Sequence, residues 1–446
     1  MSKYIIDGGV PLNGEVFIRG AKNASYKQII ASMLTEEPVE LINIPQISDV
    51  RITMSIAACL GARIKEIGEH GILVQTKKIT STEIPSGTGE KSRTSFIFTG
   101  PLLVRAGEIT FPSPGGDKLG ERPLDRLFAC LKQMNVEIKS NEDSYTLTTS
   151  GLVGTDYKFP KPSHTATEVV LMTAVMAKGE TVIRNAATEP EIDDLIELLN
   201  LMGGKIRRDE TDQTTIYISG VKELHGGSHQ VISDRNEAVT FACAALSTRG
   251  SISILRINPK IISTFLKTIE QMGAKTNWGE DEVLVSWTKP LKAISIETAP
   301  EPGFMTDWQA VFSLVLTQAV GVSNIIERVF PNRFQHIKLL NQLGAKTKFF
   351  KPEIENPEEY YHFNQESDKP EYFHGVTIYG PTKLTPANLV VSDLRAGAST
   401  TLAALTAEGK STIEGVEFIE RGYEKLAERL KSLGAKITYI KTKSKL

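Results

Sequence analysis

The sequence predicts an α/β protein in which one supersecondary unit is repeated six times. A helix-like run that ends in a short motif and then turns into a strand recurs along the chain, and the middle residues of successive motifs lie between 68 and 90 residues apart. The six motifs are Leu60-Gly61-Ala62, Met134-Asn135-Val136, Met202-Gly203-Gly204, Met272-Gly273-Ala274, Leu343-Gly344-Ala345 and Leu433-Gly434-Ala435. We therefore expect six similar units, grouped three and three.

A second motif precedes the first by about 25 residues in each unit, and in it a helix ends in a small residue and Gly before a β-rich run. Examples are Ala177-Lys178-Gly179, Arg249-Gly250-Ser251 and Glu408-Gly409-Lys410, whereas the first unit has the degenerate Glu36-Glu37-Pro38. Gly directly after a helix fits a left-handed C-terminal cap. The second motif therefore predicts where the first helix of each unit ends.

The segment between the two motifs predicts a second helix. In residues 123–134 the apolar positions Leu124, Leu127, Phe128, Leu131 and Met134 follow helical spacing, and residues 261–272 show the same pattern. Each unit is then strand, helix, strand, helix and one or two further strands. Six such units predict an α/β protein with its helices packed inside its sheets.

Composition restricts the possible classes of protein. The 446 residues are 40% hydrophobic and 23% charged, which is typical of globular proteins with a full core. The net charge of −2 gives no basic field for nucleic acid. The first residues contain no long apolar run, so we expect neither a secretory signal nor a membrane span. The cysteines, Cys59, Cys130 and Cys243, are expected to be buried thiols of a reducing compartment, without disulfide or metal spacing.

Residues 351–375 make the last unit long. This stretch is acidic, with interspersed aromatic residues and prolines. We expect an inserted surface flap or an extended hairpin, and no functional prediction depends on it.

Charged and polar residues stand at many of the predicted helix starts. These residues are Lys22, Asn23, Arg93, Arg122, Lys161, Ser163, Asp234, Asp307, Arg333, Asp393, Arg395 and Arg421. Asp is a good helix cap, but Lys and Arg at a helix N-terminus oppose the macrodipole unless an anion is bound there. Helix N–H groups together with a guanidinium bind phosphate or carboxylate well. Several such starts facing one cleft predict a ligand with more than one negative group.

A Gly-rich segment, residues 114–120, directly precedes Arg122. It fits either a mobile surface turn or a catalytic lid beside an anion site. Neither the Walker A motif nor the dinucleotide fingerprint occurs, which argues against nucleotide hydrolysis and against a Rossmann cofactor.

Short motifs distributed in order along nearly the whole chain carry a family resemblance. They are Gly20-Ala21-Lys22-Asn23-Ala24, Pro114-Gly115-Gly116, Gly120-Glu121-Arg122-Pro123-Leu124-Asp125, Glu189-Pro190-Glu191-Ile192, Thr306-Asp307, Asn332-Arg333-Phe334, Ser392-Asp393-Leu394-Arg395-Ala396 and Arg421-Gly422-Tyr423-Glu424. Together they resemble the family of UDP-N-acetylglucosamine 1-carboxyvinyltransferases. Each motif alone is weakly specific, and their joint occurrence is highly specific.

The resemblance implies two inside-out α/β barrel domains, each of three βαβαββ-type units, with the active site between them. Because the N-terminal strand of the family belongs to the second domain, we expect domains at about 22–231, carrying the lid loop 112–123, and at 1–21 with 232–446.

The family transfers the enolpyruvyl group of phosphoenolpyruvate to the 3-hydroxyl of UDP-N-acetylglucosamine and releases phosphate, without a metal or organic cofactor. This is the first committed step of peptidoglycan synthesis, which serves cell wall biogenesis, cell shape, the cell cycle and cell division. Partners other than these small molecules are not implied, and the oligomeric state stays open. A cytoplasmic location is expected because UDP-sugars are made there.

The resemblance also assigns roles to residues. The implied phosphoenolpyruvate-binding residues are Lys22, Asn23, Arg122 and Arg421. The implied UDP-N-acetylglucosamine-binding residues are Arg93, Arg122, Pro123, Leu124, Asp125, Lys161, Ser163, Asp307 and Val329. The implied catalytic residues are Lys22, Asp117, Asp307 and Arg421, with Asp307 as the base, Asp117 as the acid, and support from Asp234, Arg333, Asp393 and Arg395.

The chain departs from the usual family pattern at two places. Most members carry Cys on the lid loop where this chain has Asp117. Fosfomycin alkylates that thiolate, so we expect this protein to be insensitive to fosfomycin. The segment Ser163-His164-Thr165-Ala166-Thr167 stands where Ser-Val-Gly-Ala-Thr is more usual, which places a polar ring near the implied uridine site.

Two alternatives stay open at this point. A catalytically silent paralogue would bind UDP-sugars and regulate wall synthesis, although retention of Lys22, Arg122, Asp307 and Arg421 argues against it. The second alternative is the related enolpyruvylshikimate-phosphate synthase. Against it, that enzyme has Lys followed by Ser in its first motif, where this chain has Lys22-Asn23, and it lacks the Pro-Gly-Gly loop found here.

Overall fold

The computed structural model describes residues 2–89, 93–113 and 123–442. Within them the strands are β1 Lys3–Gly8, β2 Asn13–Phe17, β3 Val39–Ile42, β4 Arg63–Ile67, β5 Gly71–Gln75, β6 Glu108–Pro112, β7 Glu137–Ser140, β8 Ser144–Thr148, β9 Asp156–Lys158, β10 Glu180–Arg184, β11 Lys205–Arg208, β12 Ile216–Ser219, β13 Gly227–Gln230, β14 Ser251–Leu255, β15 Lys275–Trp278, β16 Glu282–Ser286, β17 Ile296–Glu297, β18 Gly321–Ile326, β19 Lys346–Phe350, β20 Gly375–Gly380, β21 Asn388–Val390, β22 Gly409–Glu414 and β23 Lys436–Ile440.

The α-helices of the described residues are α1 Lys22–Ala31, α2 Ser48–Cys59, α3 Ser86–Gly89, α4 Thr99–Ala106, α5 Asp125–Gln133, α6 His164–Ala174, α7 Pro190–Leu201, α8 Arg235–Ser247, α9 Ser263–Met272, α10 Thr306–Gln318, α11 Gln335–Gln342, α12 Pro357–Tyr360, α13 Leu394–Thr406, α14 Val416–Ile419 and α15 Leu426–Ser432. Short 3-10 turns precede α4 at Arg93–Phe98 and α9 at Pro259–Ile262. None of these helices combines the length and the apolar character that crossing a bilayer requires.

The chain forms two compact units. The terminal unit contains the described residues up to Arg19 and from Ser233 onward, and the inserted unit contains those from Gly20 to Ile232. Each unit has its own hydrophobic core.

In the part of the chain that the structure describes, six sheets correspond to the six repeats, which confirms the fold class predicted from the sequence motifs. The third repeat shows the pattern, with strand order β11-β12-β10-β9. Here β9 and β10 are parallel and joined through α6, while β10, β12 and β11 pair antiparallel. The second repeat has three strands, β6-β8-β7, and a single parallel bridge from Glu83 to Thr110 takes the place of its first strand.

Two repeats take their first strand from elsewhere in the chain. The strand β13 pairs parallel with β3 of the first repeat, and β2 pairs parallel with β14 of the fourth repeat. The strand β1 lies between β22 and β23 in the sixth repeat. Pairing of β1 with strands about 400 residues away ties the N-terminal segment into the terminal unit.

The first motif of each repeat closes the second helix in the same way. Its middle residue is left-handed in all six copies, with φ of 114° at Gly61, 67° at Asn135, and 96–103° at the other four. The next residue donates its N–H to the carbonyl five positions back, at 2.8–3.1 Å. This is the Schellman arrangement, in which a left-handed residue, usually Gly and sometimes Asn, satisfies the last carbonyls of a helix.

The second motif is less uniform. Gly179 and Gly409 are left-handed, with φ of 98° and 112°, but they do not cap the helices, because α6 ends at Ala174 and α13 ends at Thr406, before each motif. The expectation is wrong for Gly250, where the preceding Arg249 takes the left-handed conformation instead, at φ 61°. A Cβ at Gly250 would lie 1.9 Å from the carbonyl oxygen of Leu12, so close packing of the backbone explains this glycine.

The first helices of the repeats lie inside and the sheets lie around them. In the terminal unit α8, α10 and α13 contact one another, and every residue of α8 is buried. In the inserted unit α4 contacts α1 and α6. A helix that is apolar or small on all sides is typical of such a central position. Burying one large apolar side chain of these helices contributes about 1.5–3 kcal/mol.

Two expectations for individual segments are corrected. Cys130 and Cys243 are buried, and burial raises the pKa of Cys130 to about 12, but Cys59 at the end of α2 is exposed. Residues 351–374 form no hairpin, because they contain the short α12 and no strand. Tyr361, Phe363 and His374 bury one another within this segment, with ring centroids 4.8–5.2 Å apart. The N–H of His362 donates to the carbonyl of Arg328 at 2.7 Å, which ties the segment to the chain that follows β18.

Candidate functional site

In the inserted unit, Lys22 is the first residue of α1, as predicted. Its Nζ lies 2.8 Å from Oδ2 of Asp49, which is buried in the first turn of α2. Asn23 follows it, half-buried, and no acidic side chain occupies the first turn of α1. A cation at this end of a helix opposes the macrodipole. Asp49 therefore stabilises a lysine that the helix alone would disfavour.

The starts of α5 and α6 carry the next group of predicted residues. Leu124 is the N-cap of α5 and Asp125 its first residue, so the helix begins two residues after Pro123 rather than at it. Arg126 donates a hydrogen bond from Nη1 to the carbonyl of Pro162, at 3.4 Å, which ties the start of α5 to the segment before α6.

That segment contains Lys161 and Ser163. Lys161 is half-buried. Ser163 is the N-cap of α6, and its Oγ accepts a hydrogen bond from the N–H of Ala166 at 3.4 Å. The helix α6 begins at His164, one residue before Thr165, at which the sequence pattern predicts its start.

The structure describes one further predicted site residue, Arg93, only in part, and two others, Asp117 and Arg122, not at all. The backbone of Arg93 opens the 3-10 turn before α4, as predicted for a helix start. Asp117 and Arg122 lie outside the described residues, as does most of the expected lid loop 112–123.

In the terminal unit, Asp307 lies in the first turn of α10 and is bound by two arginines. Its Oδ1 is 2.6 Å from Nη2 of Arg333, and its Oδ2 is 3.1 Å from Nη2 of Arg395. Both arginines are at least 90% buried, whereas the carboxylate is 24% exposed. The structure thus brings together three residues that the sequence placed at three separate helix starts.

Arg395 extends this cluster to Tyr423. Its Nη1 donates to the phenol oxygen of Tyr423 at 3.2 Å, and that oxygen lies 2.8 Å from Oγ1 of Thr240 on α8. Burial lowers the pKa of Arg395, but the adjacent Asp307 outweighs it and the net pKa is raised. Arg395 therefore stays charged.

Asp393 and Asp234 act as caps in the terminal unit. Asp393 is the N-cap of α13 and accepts a hydrogen bond from the N–H of Ala396 at 2.9 Å. Asp234 is the N-cap of α8 and accepts from the N–H groups of Asn236 and Glu237 at 2.8 and 3.0 Å. These two predicted residues fix the starts of helices whose first turns contain the buried Arg395 and Arg235, respectively.

The buried Glu327 holds the backbone around Val329. Its Oε1 accepts from the N–H groups of Val329 and Phe330 at 2.8 and 3.0 Å, and its Oε2 accepts from Oγ1 of Thr306 at 2.8 Å. Burial raises the pKa of Glu327, although the nearby Arg333 and these hydrogen bonds oppose the shift. Glu327 thus joins the Val329 segment to the start of α10, one residue before Asp307.

His336 lies beside the arginine cluster but is not a proton carrier. Its Nε2 is 3.0 Å from Oγ of Ser313, and the ring is buried. Burial and the neighbouring Arg333 lower the pKa of His336 to about 3. The imidazole is therefore neutral at neutral pH.

Arg421 does not open a helix, contrary to the prediction. It lies in the turn between α14 and α15 and is half-buried. The N–H groups of Gly422 and Tyr423 both bond back to the carbonyl of Ile419, and Lys425 is left-handed at φ 47° before α15 begins. These bonds fold the segment into a turn where the motif suggested a helix start.

Comparison with known proteins identifies the family. The family model for EPSP synthase (3-phosphoshikimate 1-carboxyvinyltransferase) matches residues 6–430. A UDP-N-acetylglucosamine 1-carboxyvinyltransferase of Carboxydothermus hydrogenoformans is 37% identical over 445 residues, which is 100% of both chains. The protein of that name from Idiomarina loihiensis is 36% identical, over 98% of this chain and 99% of its own. The chain belongs to the EPSP synthase family.

Solved structures of the EPSP synthase family share the fold. The enolpyruvyl transferase NikO from Streptomyces tendae superimposes with a TM-score of 0.85 at 23% identity, over 99% of both chains. An EPSP synthase from Acinetobacter baumannii gives a TM-score of 0.71 at 19% identity, over 99% of this chain and 100% of its own. At these identities the likeness concerns the fold alone.

The sequence did not predict a role for three residues that contact predicted residues of the site: Asp49, Glu327 and Tyr423. They contact Lys22, the Val329 segment and Arg395, respectively. Only Tyr423 stands in a recognised motif, as the third residue of Arg421-Gly422-Tyr423-Glu424. For Asp49 and Glu327 the local sequence carries no signal, because a helix-start Asp and an isolated Glu are common everywhere.

Proposed function

We propose that this protein is an alkyl-group transferase that moves the enolpyruvyl group of phosphoenolpyruvate to the 3-hydroxyl of UDP-N-acetylglucosamine and releases phosphate. The observation that carries this proposal is the end-to-end similarity, at 36–37% identity, to proteins that bear that activity in their names. The retained Lys22 and Asp307, each at the start of a helix, support it.

The proposed reaction begins with an addition. Asp307 takes the proton of the sugar 3-hydroxyl while the oxygen forms a bond to C2 of phosphoenolpyruvate. The double bond of the enol opens, and its methylene carbon takes a proton from Asp117. A tetrahedral intermediate results that carries both the sugar oxygen and the phosphate on one carbon. General acid and base groups contribute about 10²–10⁴-fold each to such steps.

The second step is an elimination. The bond between C2 and the phosphate oxygen breaks, and phosphate leaves with the bonding electrons. A proton of the new methyl group returns to the carboxylate of Asp117, and this restores the carbon–carbon double bond as an enol ether of the sugar. Lys22, Arg122 and Arg421, with Asn23, would stabilise the negative charges of phosphoenolpyruvate and of the departing phosphate.

The contacts around Asp307 suit the base. Two guanidinium groups, of Arg333 and Arg395, fix the plane of its carboxylate, and about a quarter of the side chain is still exposed. A preorganised group needs no rearrangement during the reaction. We assign Arg333, Arg395, Asp393 and Asp234 to this supporting role.

The UDP-sugar would contact residues at the starts of α5 and α6 and at Val329. The hydrogen bond from Arg126 to Pro162 keeps the first two segments adjacent within the inserted unit. The proposed contacts are Arg93, Arg122, Pro123, Leu124, Asp125, Lys161, Ser163, Asp307 and Val329. Helix N-termini bind diphosphates well because their N–H groups and the macrodipole favour anions.

The cellular role follows from the activity. Enolpyruvyl transfer to UDP-N-acetylglucosamine supplies peptidoglycan synthesis, and with it cell wall biogenesis, cell shape and division. We place the protein in the cytoplasm because both substrates are made there. We also propose insensitivity to fosfomycin, because Asp117 offers no thiolate for alkylation.

The test is release of phosphate from phosphoenolpyruvate with UDP-N-acetylglucosamine or with shikimate 3-phosphate as acceptor, each with and without fosfomycin. We expect turnover with the UDP-sugar at a rate that fosfomycin does not change. Turnover with shikimate 3-phosphate but not with UDP-N-acetylglucosamine would show that shikimate 3-phosphate is the acceptor and would refute the proposal. Binding of the UDP-sugar without turnover would identify a silent paralogue.

A further inference from the structure

Three ionisable side chains that the proposed mechanism does not use meet in the inserted unit. We call Lys27, Glu168 and His164 the buried triad, after the buried ion pair at its centre. Lys27 Nζ is 2.6 Å from Oε1 of Glu168, and His164 Nε2 is 3.1 Å from the same oxygen. The side chain of His164 is 23% exposed, whereas those of Lys27 and Glu168 are 1% and 0% exposed. Charges this deeply buried are strongly unfavourable unless they are paired.

The buried triad joins two helices whose starts carry residues of the proposed substrate sites. Lys27 is on α1, which begins with Lys22, and Glu168 is on α6. His164 is the first residue of α6, directly after the N-cap Ser163, one turn before Glu168. Any change in the charge of the buried triad therefore acts on the start of α6, where we place contacts to the UDP-sugar, whose diphosphate carries its negative charge.

The charge of the buried triad depends on His164. Lys27 and Glu168 cancel each other, so a protonated His164 leaves one net positive charge. Among the described residues, Glu189, the N-cap of α7, also acts on His164, and Glu191 of α7 and Tyr26 of α1 act on Lys27. Burial lowers the pKa of His164 and Lys27 lowers it further, but Glu168 and Glu189 outweigh both, so the net pKa is raised.

The hydrogen bonding of Glu168 supports the same dependence on charge. Among the described residues, both carboxylate oxygens of Glu168 and Nε2 of His164 are buried without a hydrogen-bond partner of good geometry. The carboxylate is therefore balanced mainly by the charges of Lys27 and His164 at 2.6 and 3.1 Å, and loss of the proton from His164 removes one of these charges. A positive charge at the start of a helix is unfavourable by itself and becomes favourable when an anion binds there.

We propose that His164, held by Glu168 and Lys27, is a positioning residue that links proton uptake to binding of the UDP-sugar. The protonated form binds the diphosphate more tightly than the neutral form does. Because coupling between two binding equilibria is reciprocal, the bound diphosphate raises the proton affinity of His164 by the same factor. This inference rests on the proposed function, since it concerns the same UDP-sugar site.

The test compares the wild-type protein with His164→Gln, which keeps a polar side chain that does not titrate. The matched control is His225→Gln, which removes the exposed pair of His225 with Glu37 in the same unit. The KM values of both substrates and kcat are measured from pH 5.5 to 8.5. The diphosphate of UDP-N-acetylglucosamine does not titrate in this range, whereas the phosphate of phosphoenolpyruvate does.

We expect the KM of the UDP-sugar to rise about fivefold or more with pH in the wild type and in His225→Gln. In His164→Gln this rise should be absent, while the pH dependence of the phosphoenolpyruvate KM is unchanged. A merely structural role of His164 would raise the UDP-sugar KM equally at every pH. Parallel pH profiles of the wild type and His164→Gln would overturn the proposal.

A titration of the imidazole by NMR gives a second measurement on the wild-type protein. The His164 signals should titrate at higher pH with UDP-N-acetylglucosamine bound than without it, and Glu168→Gln should lower the midpoint. A midpoint that does not change when the UDP-sugar binds would overturn the proposal. This titration uses the wild-type protein, so it remains decisive even if His164→Gln fails to fold. Binding with a shifted midpoint but no phosphate release would refute the proposed function alone, whereas absence of binding refutes both.

Discussion

Each carboxylate oxygen of Asp307 is paired with a guanidinium group. A substitution at Asp307 therefore affects these ion pairs as well as the proposed base. Asparagine has nearly the same shape, but its amide cannot take the proton of the sugar hydroxyl. Its amide nitrogen would also face a guanidinium of Arg333 or Arg395, at the positions where the carboxylate oxygens now lie 2.6 and 3.1 Å from them. The substitution therefore removes both the base and the negative charge that pairs with Arg333 and Arg395.

Asp307→Asn should lower kcat by about 10²–10⁴-fold, the range that a general base contributes. Binding of UDP-N-acetylglucosamine, measured by calorimetry, should stay within about tenfold, since Asp307 is one of several proposed contacts to the sugar nucleotide and the loss of one hydrogen bond costs about 1 kcal/mol. Asp281→Asn, at an exposed turn, is the matched control and should change neither quantity. Retained turnover in Asp307→Asn would exclude Asp307 as the base.

Asp117→Cys tests the acid. An acid must hold its proton, and the reference pKa is about 3.9 for Asp and about 8.5 for Cys. The alkaline limb of the kcat/KM profile should therefore lie at higher pH in Asp117→Cys than in the wild type. Fosfomycin should inactivate the variant and spare the wild type. Superimposed pH profiles for the two forms would refute the acid role.

His336 should make the terminal unit sensitive to acid. Its folded pKa of about 3 lies below the unfolded value of about 6.5, so its contribution to stability is complete above pH 6.5 and is lost as the pH falls toward 3. When the pH is lowered from 7.5 to 5.5, the free energy of unfolding should fall by about 1 kcal/mol more in the wild type than in His336→Gln. Because Trp278, Trp287 and Trp308 all lie in the terminal unit, tryptophan fluorescence during urea unfolding reports this difference. An equal loss in both proteins would contradict the assignment.

At the scale of single elements, the left-handed helix cap that recurs in the six repeats is the structural feature that the sequence predicts best. Its requirements are local, because one residue must adopt a positive φ and its neighbours must bond back to the preceding turn. This is why the six motifs predicted six helix ends. Arg421 was placed wrongly because the bonds that fold its turn, to Ile419, compete with a helix start in a way that the motif does not show.

Gly203→Ala should destabilise the inserted unit. The residue is left-handed at φ 103°, and a Cβ would meet only the ring of the exposed His225 at 3.4 Å, so the cost is conformational. A left-handed alanine costs about 1–2 kcal/mol. The control Gly87→Ala lies in α3 of the same unit with open space around it and should be neutral or stabilising, by up to about 1 kcal/mol. Urea unfolding followed by circular dichroism measures both, and equal stabilities would contradict the cap.

At the scale of the whole molecule, the repeat predicted the number and type of the sheets, but not which strands complete them. The place of β1 between β22 and β23, and the pairings of β2 with β14 and of β13 with β3, join segments about 190 to 430 residues apart. Hydrophobic periodicity gives no information on such pairings. The same limit hid Asp49, Glu327 and the pair of Lys27 with Glu168, whose partners come from other elements.

The candidate site was predictable to the extent that it lies at helix starts. Lys22, Ser163 and Asp307 stand at or next to the helix ends where the charge pattern placed them. Their roles came from the family resemblance, since a charged helix start alone does not name a substrate. The central claim is therefore the transfer itself, and its product tests that claim most directly.

The decisive measurement is the structure of the product made from ¹³C-labelled phosphoenolpyruvate and UDP-N-acetylglucosamine, determined by NMR and mass spectrometry. We predict a single new sugar nucleotide that carries a vinyl methylene group in an ether at O3 of the sugar, with one phosphate released for each molecule formed. Phosphate release without this ether, or transfer of the enolpyruvyl group only to shikimate 3-phosphate, would contradict the account.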